Sequence, residues 1–164
     1  MKRKVIIGSI ITVFLSIFAY YSLTQIVPQE IENAPEWMPL HLAMEQAAEE
    51  DRLVMIDIYE VGCQFCRKMD RETYPAPSVR SVLDRAYFPV KINGNSENKM
   101  LFNGEEITER DFASRMGVTA FPFTVIMDAD GNVIDSRRGY QDIVGFTRFL
   151  NSAVEKSNLS VSGI

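Results

Sequence analysis

Cysteine is scarce in this chain of 164 residues: only Cys63 and Cys66 occur, which excludes a fold stapled by several disulfides. The one bridge they can form closes so small a loop that it stabilises the fold little, and such a bridge is free to open and close as chemistry. Histidine occurs once, at His41, at the start of a helical pattern. Two thiols and one distant imidazole fall short of the four ligands that zinc wants, so no metal site is expected. Basic clusters are missing after Lys2, Arg3 and Lys4, and with a net charge of -5 and a pI near 5.0 nucleic acid is not an expected partner. Also missing are a glycine-rich phosphate cradle, a Ser/His/Asp set and a carboxylate pair with a cleft, so nucleotide-dependent and hydrolytic chemistry is unsupported. Internal repeats and low-complexity tracts are absent as well.

What is present is the composition of a folded protein, 46% hydrophobic and 24% charged, with room for one domain and a short appendage. The three basic residues near the start precede an uncharged stretch, residues 5–29, whose apolar part reaches residue 27 and could cross a hydrocarbon core roughly 30 Å thick. It is longer than an ordinary signal core, and no small-residue cleavage site follows Tyr20 and Tyr21. Residues 1–27 therefore read as a signal anchor making a single pass through the cytoplasmic (inner) membrane. Its positive flank stays inside and the rest lies on the periplasmic side. The alternative is a cleaved signal and a secreted periplasmic domain. Residues 28–38 read as a proline-rich linker, with Trp37 anchoring its end on the domain surface, residues 39–155 as the domain, and residues 156–164 as a flexible tail.

Within the domain, residues 40–51 have the spacing of an amphipathic helix. Residues 53–59 form a nearly continuous apolar run, the mark of a central strand covered on both faces, with Asp57 as its anomaly. Gly62 turns the chain into a helix over residues 63–73, Pro75 and Pro77 break it, and a further helical piece covers residues 78–85. In the first of these helices Arg67, Lys68 and Asp70 read as a solvated face. Residues 87–92 are a second strand, and residues 93–106, rich in Asn, Gly and Glu, read as a long loop. Thr108 with Asp111 caps a short helix through residue 116. Residues 123–127 and 133–136 form a hairpin, and Asp142 caps a last helix through residue 154 that buries Ile143, Phe146, Phe149, Leu150 and Ala153. The order predicts an α/β sandwich with a mixed sheet, its first two strands parallel and its last two antiparallel. The methionines Met55, Met69, Met116 and Met127 read as core filling.

The pattern Cys63-Gln64-Phe65-Cys66 follows a buried strand and opens a helix, the context in which a C-x-x-C string reads as redox chemistry. Positions i and i+3 share a helix face, so the sulfurs can bond, and the free N–H groups of the first turn favour a thiolate on Cys63. Cys63 is then the attacking sulfur and Cys66 the resolving one. Asp57, the one acid of that strand, lies six residues before Cys63. No cofactor beyond the Cys63-Cys66 couple is expected.

On these motifs the chain resembles the thioredoxin superfamily, and is similar to the carboxy-terminal domain of the membrane thiol:disulfide interchange (reductant conductor) family, over residues 53–150. Val54-Met55-Ile56-Asp57-Ile58-Tyr59 before the cysteines matches the family's strand and buried acid, Val90-Lys91-Ile92-Asn93 its next strand and lysine, and Phe121-Pro122 its cis-proline loop. The resemblance places Asp57 beneath the cysteines with Lys91 near it; a carboxylate desolvated there would have its proton affinity raised, so Asp57 could take the Cys66 proton, with Lys91 moderating the shift, the alternative being a plain buried ion pair. The family's usual Trp before the first cysteine is replaced by Gly62. The resemblance implies a thioredoxin-like three-layer α/β/α sandwich with a mixed sheet of four or five strands. It also implies a thiol:disulfide oxidoreductase acting in the reducing direction, with Phe121, Pro122, Phe65 and Gln64 facing the client. Implied partners are protein thiol or disulfide clients and a membrane electron donor, for a monomer. Two other readings stay open: a dedicated reductant in cytochrome or sulfur-enzyme maturation, and a binding module whose cysteine pair is a static bridge or half of a metal site.

Overall fold

Residues 2–26 and 31–161 are described by the computed structural model of the chain, and they fall into two units divided after Glu30. The first is helix α1, Lys2–Ile26. Ile6, Ile10, Phe14 and Phe18 are all exposed on it, while the Thr12 and Ser16 hydroxyls donate to the carbonyls of Gly8 and Thr12, each at 2.9 Å. Among the described residues no helix is long and apolar enough to cross a membrane; the side chains of α1 are described only from Ile6 to Ser22. Residues 28–30 of the expected linker lie outside the described residues.

The second unit opens earlier than the sequence suggests. Residues 31–38 are laid on the domain rather than free: Asn33 donates to the carbonyl of Pro75 at 2.6 Å, and Met38 bridges to Val90. Helix α2, Leu40–Glu50, ends where Asp51 turns left-handed (φ 52°). Strand β1, Leu53–Tyr59, leads through a turn to helix α3, Gln64–Lys68, which runs on as a π-helical turn, Met69–Thr73. The helical turn ends at Thr73, ahead of Pro75; helix α4, Pro77–Ala86, starts on the second proline, and strand β2, Tyr87–Asn93, follows.

Strands β3 (Lys99–Phe102) and β4 (Glu105–Thr108) form a separate antiparallel hairpin that occupies much of the stretch read as a loop, 93–106, and runs two residues past it. Asn103 and Gly104 supply the two positive φ angles (51° and 78°) that a tight two-residue turn requires. Phe102 is then buried edge-on against Phe112, with ring centroids 5.1 Å apart. Helix α5, Glu109–Arg115, is capped by the Thr108 hydroxyl, which accepts from the N–H of Asp111 at 3.0 Å. Strands β5 (Phe123–Met127) and β6 (Val133–Arg138) precede helix α6, Ile143–Val161, capped by Asp142 through the N–H of Gly145 at 2.7 Å. That helix runs seven residues past the expected end at Val154, so residues 156–161 of the expected tail are helical; residues 162–164 lie outside the described residues. Its first residue, Ile143, is 39% exposed rather than part of the buried stripe, which begins one turn later at Phe146.

The sheet order is β2-β1-β5-β6, with β1 and β2 parallel and the other pairs antiparallel, giving the mixed four-stranded sheet expected. Alternation along β1 separates two cores. Val54, Ile56 and Ile58 pack with α2, α5 and Phe102 on one face. Leu53 and Met55 pack with Met69, Tyr74, α4 and α6 on the other. Asp57 has the same parity as Leu53 and Met55, so it enters the second core.

Candidate active site

Parallel pairing sets the C-terminal ends of β1 and β2 side by side, with Tyr59 opposite Asn93, and antiparallel pairing brings the start of β5 to the same end, with Ile58 opposite Phe123. Four connections therefore converge there. They are the turn carrying the cysteines, the turn after Asn93, the loop before Phe123, and the segment after Arg138, where the N–H of Gly139 donates to the Pro122 carbonyl at 2.7 Å.

Gly62 in the first of these has φ 91°, a conformation that the tryptophan of the resembled family would adopt only with strain. Cys63 caps α3 and forms a disulfide with Cys66. The N–H of Cys66 donates to Cys63 Sγ at 3.0 Å, so the helix start offers a donor to the outer sulfur. Cys66 is 3% exposed and Cys63 is half-buried. Around them Val61 and Phe65 stand 82% and 60% exposed, and Gln64 is exposed too. Phe65 leans toward Tyr140, at 6.2 Å between centroids, and Lys68 lies 4.5 Å over the same Tyr140 ring. The peptide bond between Phe121 and Pro122 is cis.

Asp57 is completely buried, opposite Lys91 on one side and Thr124 on the other. Lys91 Nζ lies 3.8 Å from Asp57 Oδ2, and neither carboxylate oxygen of Asp57 has a hydrogen-bond partner. Burial pushes the Asp57 carboxyl up from 3.8 to about 6, against the opposing pull of Lys91. The Lys91 ammonium makes its closer pair with Asp70, on the π-helical turn, and also faces the rings of Trp37 (5.0 Å) and Tyr59 (5.1 Å). Asp70, read from sequence as part of a solvated face, is thus half-buried in an ion pair. Its partner Lys91 reaches it from β2, an element far away in the chain that the helical pattern could not reveal.

Sequence reasoning missed two more members of this cluster. The hydroxyls of Tyr74 and Thr124 are buried in the same core as Asp57 and lack hydrogen-bond partners. Burial, and then the Asp57 charge, push the Tyr74 phenol well above its usual range. Trp37 stacks edge-on against Tyr74 at 5.2 Å, so it closes this cluster rather than anchoring a bare surface. No local pattern marks Tyr74 or Trp37, whose proximity depends on the packing of residues 31–38. Thr124 had one usable signal, its position two residues after Pro122 in the first strand of the expected hairpin.

Among the described residues no group of three His, Cys, Asp or Glu side chains converges as a metal site. A cavity of about 370 Å³ lies elsewhere, between the start of α2, the outer edge of β2 and the β3–β4 hairpin, with His41, Lys99 and Glu109 in its wall. The arrangement at the cysteines is chemically simple. A half-buried sulfur is bonded to a covered one, a carboxyl of raised proton affinity is buried in the strand before them, and the loop with the cis peptide bond reaches the same end of the sheet.

A curated relative, the thiol:disulfide interchange protein DsbD of Cronobacter sakazakii (strain ATCC BAA-894), is 28% identical over 104 residues, a match taking in 60% of this chain but only 16% of that protein. Of solved structures, the DsbH oxidoreductase superposes with a TM-score of 0.58 at 15% identity, covering 79% of this chain and 92% of its own. The oxidised carboxy-terminal domain of Neisseria meningitidis DsbD gives 0.54 at 20% identity, covering 70% and 92%. These two likenesses establish the fold. Residues 40–153 match the thioredoxin-like domain family, and with the cysteine pair placed after the first strand of that match, the chain belongs to this family.

Proposed function

We propose that the protein is a membrane-anchored thiol:disulfide oxidoreductase that reduces disulfides of exported proteins on the outer side of the cytoplasmic membrane. The observation that carries the chemistry is the pairing of a half-buried Cys63, held by the Cys66 N–H, with a Cys66 that is almost fully covered. In the reduced protein the Cys63 thiolate attacks one sulfur of a client disulfide. An S–S bond forms between Cys63 and the client while the client bond breaks and its other sulfur leaves as thiolate. Cys66, losing its proton to Asp57, attacks Cys63, closing the bridge and expelling the second client thiolate. Two electrons have passed to the client, and a partner dithiol returns the pair to Cys63 and Cys66. No bound cofactor takes part.

Asp57 suits the acceptor role because its proton affinity is raised toward neutrality. Gln64 and Phe65 are the exposed part of the client-facing rim, with Val61 adding exposed apolar surface, and the half-buried Phe121 and buried Pro122 offer a client their backbone. The membrane reading rests on the sequence: an uncharged apolar run over residues 5–27 behind three basic residues, which extends at both ends beyond the described side chains of α1. The reducing direction rests on the similarity to DsbD.

The test is a Cys66→Ser substitution in the full chain. It should accumulate mixed disulfides with exported proteins through Cys63, and Cys63→Ser should accumulate none. A reduction potential near that of thioredoxin, about −270 mV, is expected; a value near −120 mV would reverse the direction. Two thiols that resist alkylation until the reduced protein is denatured would remove the proposal altogether. A narrow set of trapped clients would identify a dedicated maturation partner instead.

A further inference from the structure

Gly94 follows β2 at the end of the sheet that carries the cysteines, and its φ lies outside the left-handed range, so the backbone there does not call for glycine. Space does. A Cβ at position 94 would lie 2.6 Å from Cε1 and 2.9 Å from Cζ of Phe121, and 3.0 Å from Cγ2 of Ile58. Close-packed interiors leave no slack for contacts that short. The Gly94 backbone cannot retreat, because its N–H donates to the Tyr59 carbonyl at 2.8 Å and the preceding Asn93 is in register with Tyr59. The turn beyond is held as well, by Asn95 Nδ2 donating to Glu60 at 2.8 Å and by the Ser96 N–H on the Asn93 carbonyl at 2.9 Å. Ile58 is completely buried in the central strand. What remains free to move is the ring of Phe121.

We propose that Gly94 is a positioning residue whose missing side chain makes the seat for the Phe121 ring, and that this seat fixes the loop before β5 in the form that accepts an extended protein client. The inference rests on the function proposed above and adds to it a preference for protein over small disulfides. A client chain lying across the loop reads the backbone beside Phe121, whereas a small disulfide reaching Cys63 does not. The seat also explains how a bulky aromatic is tolerated there, since ring and absent side chain share one space.

The experiment compares the full chain with Gly94→Ala, Phe121→Leu and the double variant, each reduced, on insulin and on 2-hydroxyethyl disulfide. Gly94→Ala should raise KM for insulin more than it lowers kcat, and its loss of kcat/KM on insulin should exceed the loss on the small disulfide by about tenfold. In the Phe121→Leu background, where the shorter side chain leaves room for a methyl group, the same alanine should cost little. An equal cost of the alanine in both backgrounds, or equal losses on the two substrates, would overturn the proposal. If Gly94→Ala does not fold, the coupling is read in folding itself. A folded double variant supports the seat, and an unfolded one overturns it. A wild-type chain that reduces neither substrate refutes the oxidoreductase reading, and the seat falls with it; a wild-type chain active on both with an uncoupled alanine refutes the seat alone.

Discussion

Asp57 stands at about 6 in the native protein and at 3.8 when exposed, because the fold takes its charge out of water faster than Lys91 can compensate. Between those values the native state holds a proton that the unfolded chain has lost, so stability falls as pH rises through the window. The penalty is absent below pH 3.8 and complete above about pH 6, where it amounts to about 3 kcal/mol. Asp57→Asn should therefore raise the urea midpoint at pH 7 and hardly change it at pH 4, while slowing release of the second client thiolate by about a hundredfold. Equal midpoints for the two proteins at both pH values would show that the carboxylate is not desolvated as described. Asp57 and both cysteines were legible because each broke a pattern, an acid in an apolar run and two thiols at i and i+3. Tyr74 and Thr124 broke none, since a tyrosine and a threonine are ordinary in a core until their hydroxyls are found without partners.

At the scale of elements, the strands that build the sheet were readable from apolar runs, and the cap on α5 from Thr108 and Asp111. Thr108→Ala removes the acceptor for the Asp111 N–H and should cost about 1 kcal/mol in denaturant unfolding; restoration by Thr108→Ser would identify the hydroxyl as the cause. The β3–β4 hairpin went unread although Asn103-Gly104 lay in plain view. Only Phe102 and Ile107 in those short strands are buried, so no run of alternation marked them. The π-helical turn left no mark in the sequence either. It is set by the packing of Met69 and Tyr74 into the second core, where the N–H of Tyr74 reaches back to the Met69 carbonyl at 2.9 Å.

For the molecule as a whole, residues 31–161 carry both cores and every group of the candidate site, whereas α1 contributes none. A fragment beginning at Ile31 should fold, remain in solution and reduce insulin as fast as the full chain, while the full chain should leave membranes with detergent and not with salt. A full chain washed off by salt would refute the anchor. Sequence alone determined the fold class, the cysteine pair opening a helix and the acid in the buried strand, because these follow from local periodicity and fixed spacing along one strand and one helix turn. Only the tertiary structure decided that Lys91 pairs more closely with Asp70 than with Asp57, that Trp37 and Tyr74 close over that cluster, and that Phe121 rests on Gly94. Those contacts join segments far apart in the chain, and which of them form depends on how strands, turns and helices stack at one end of the sheet.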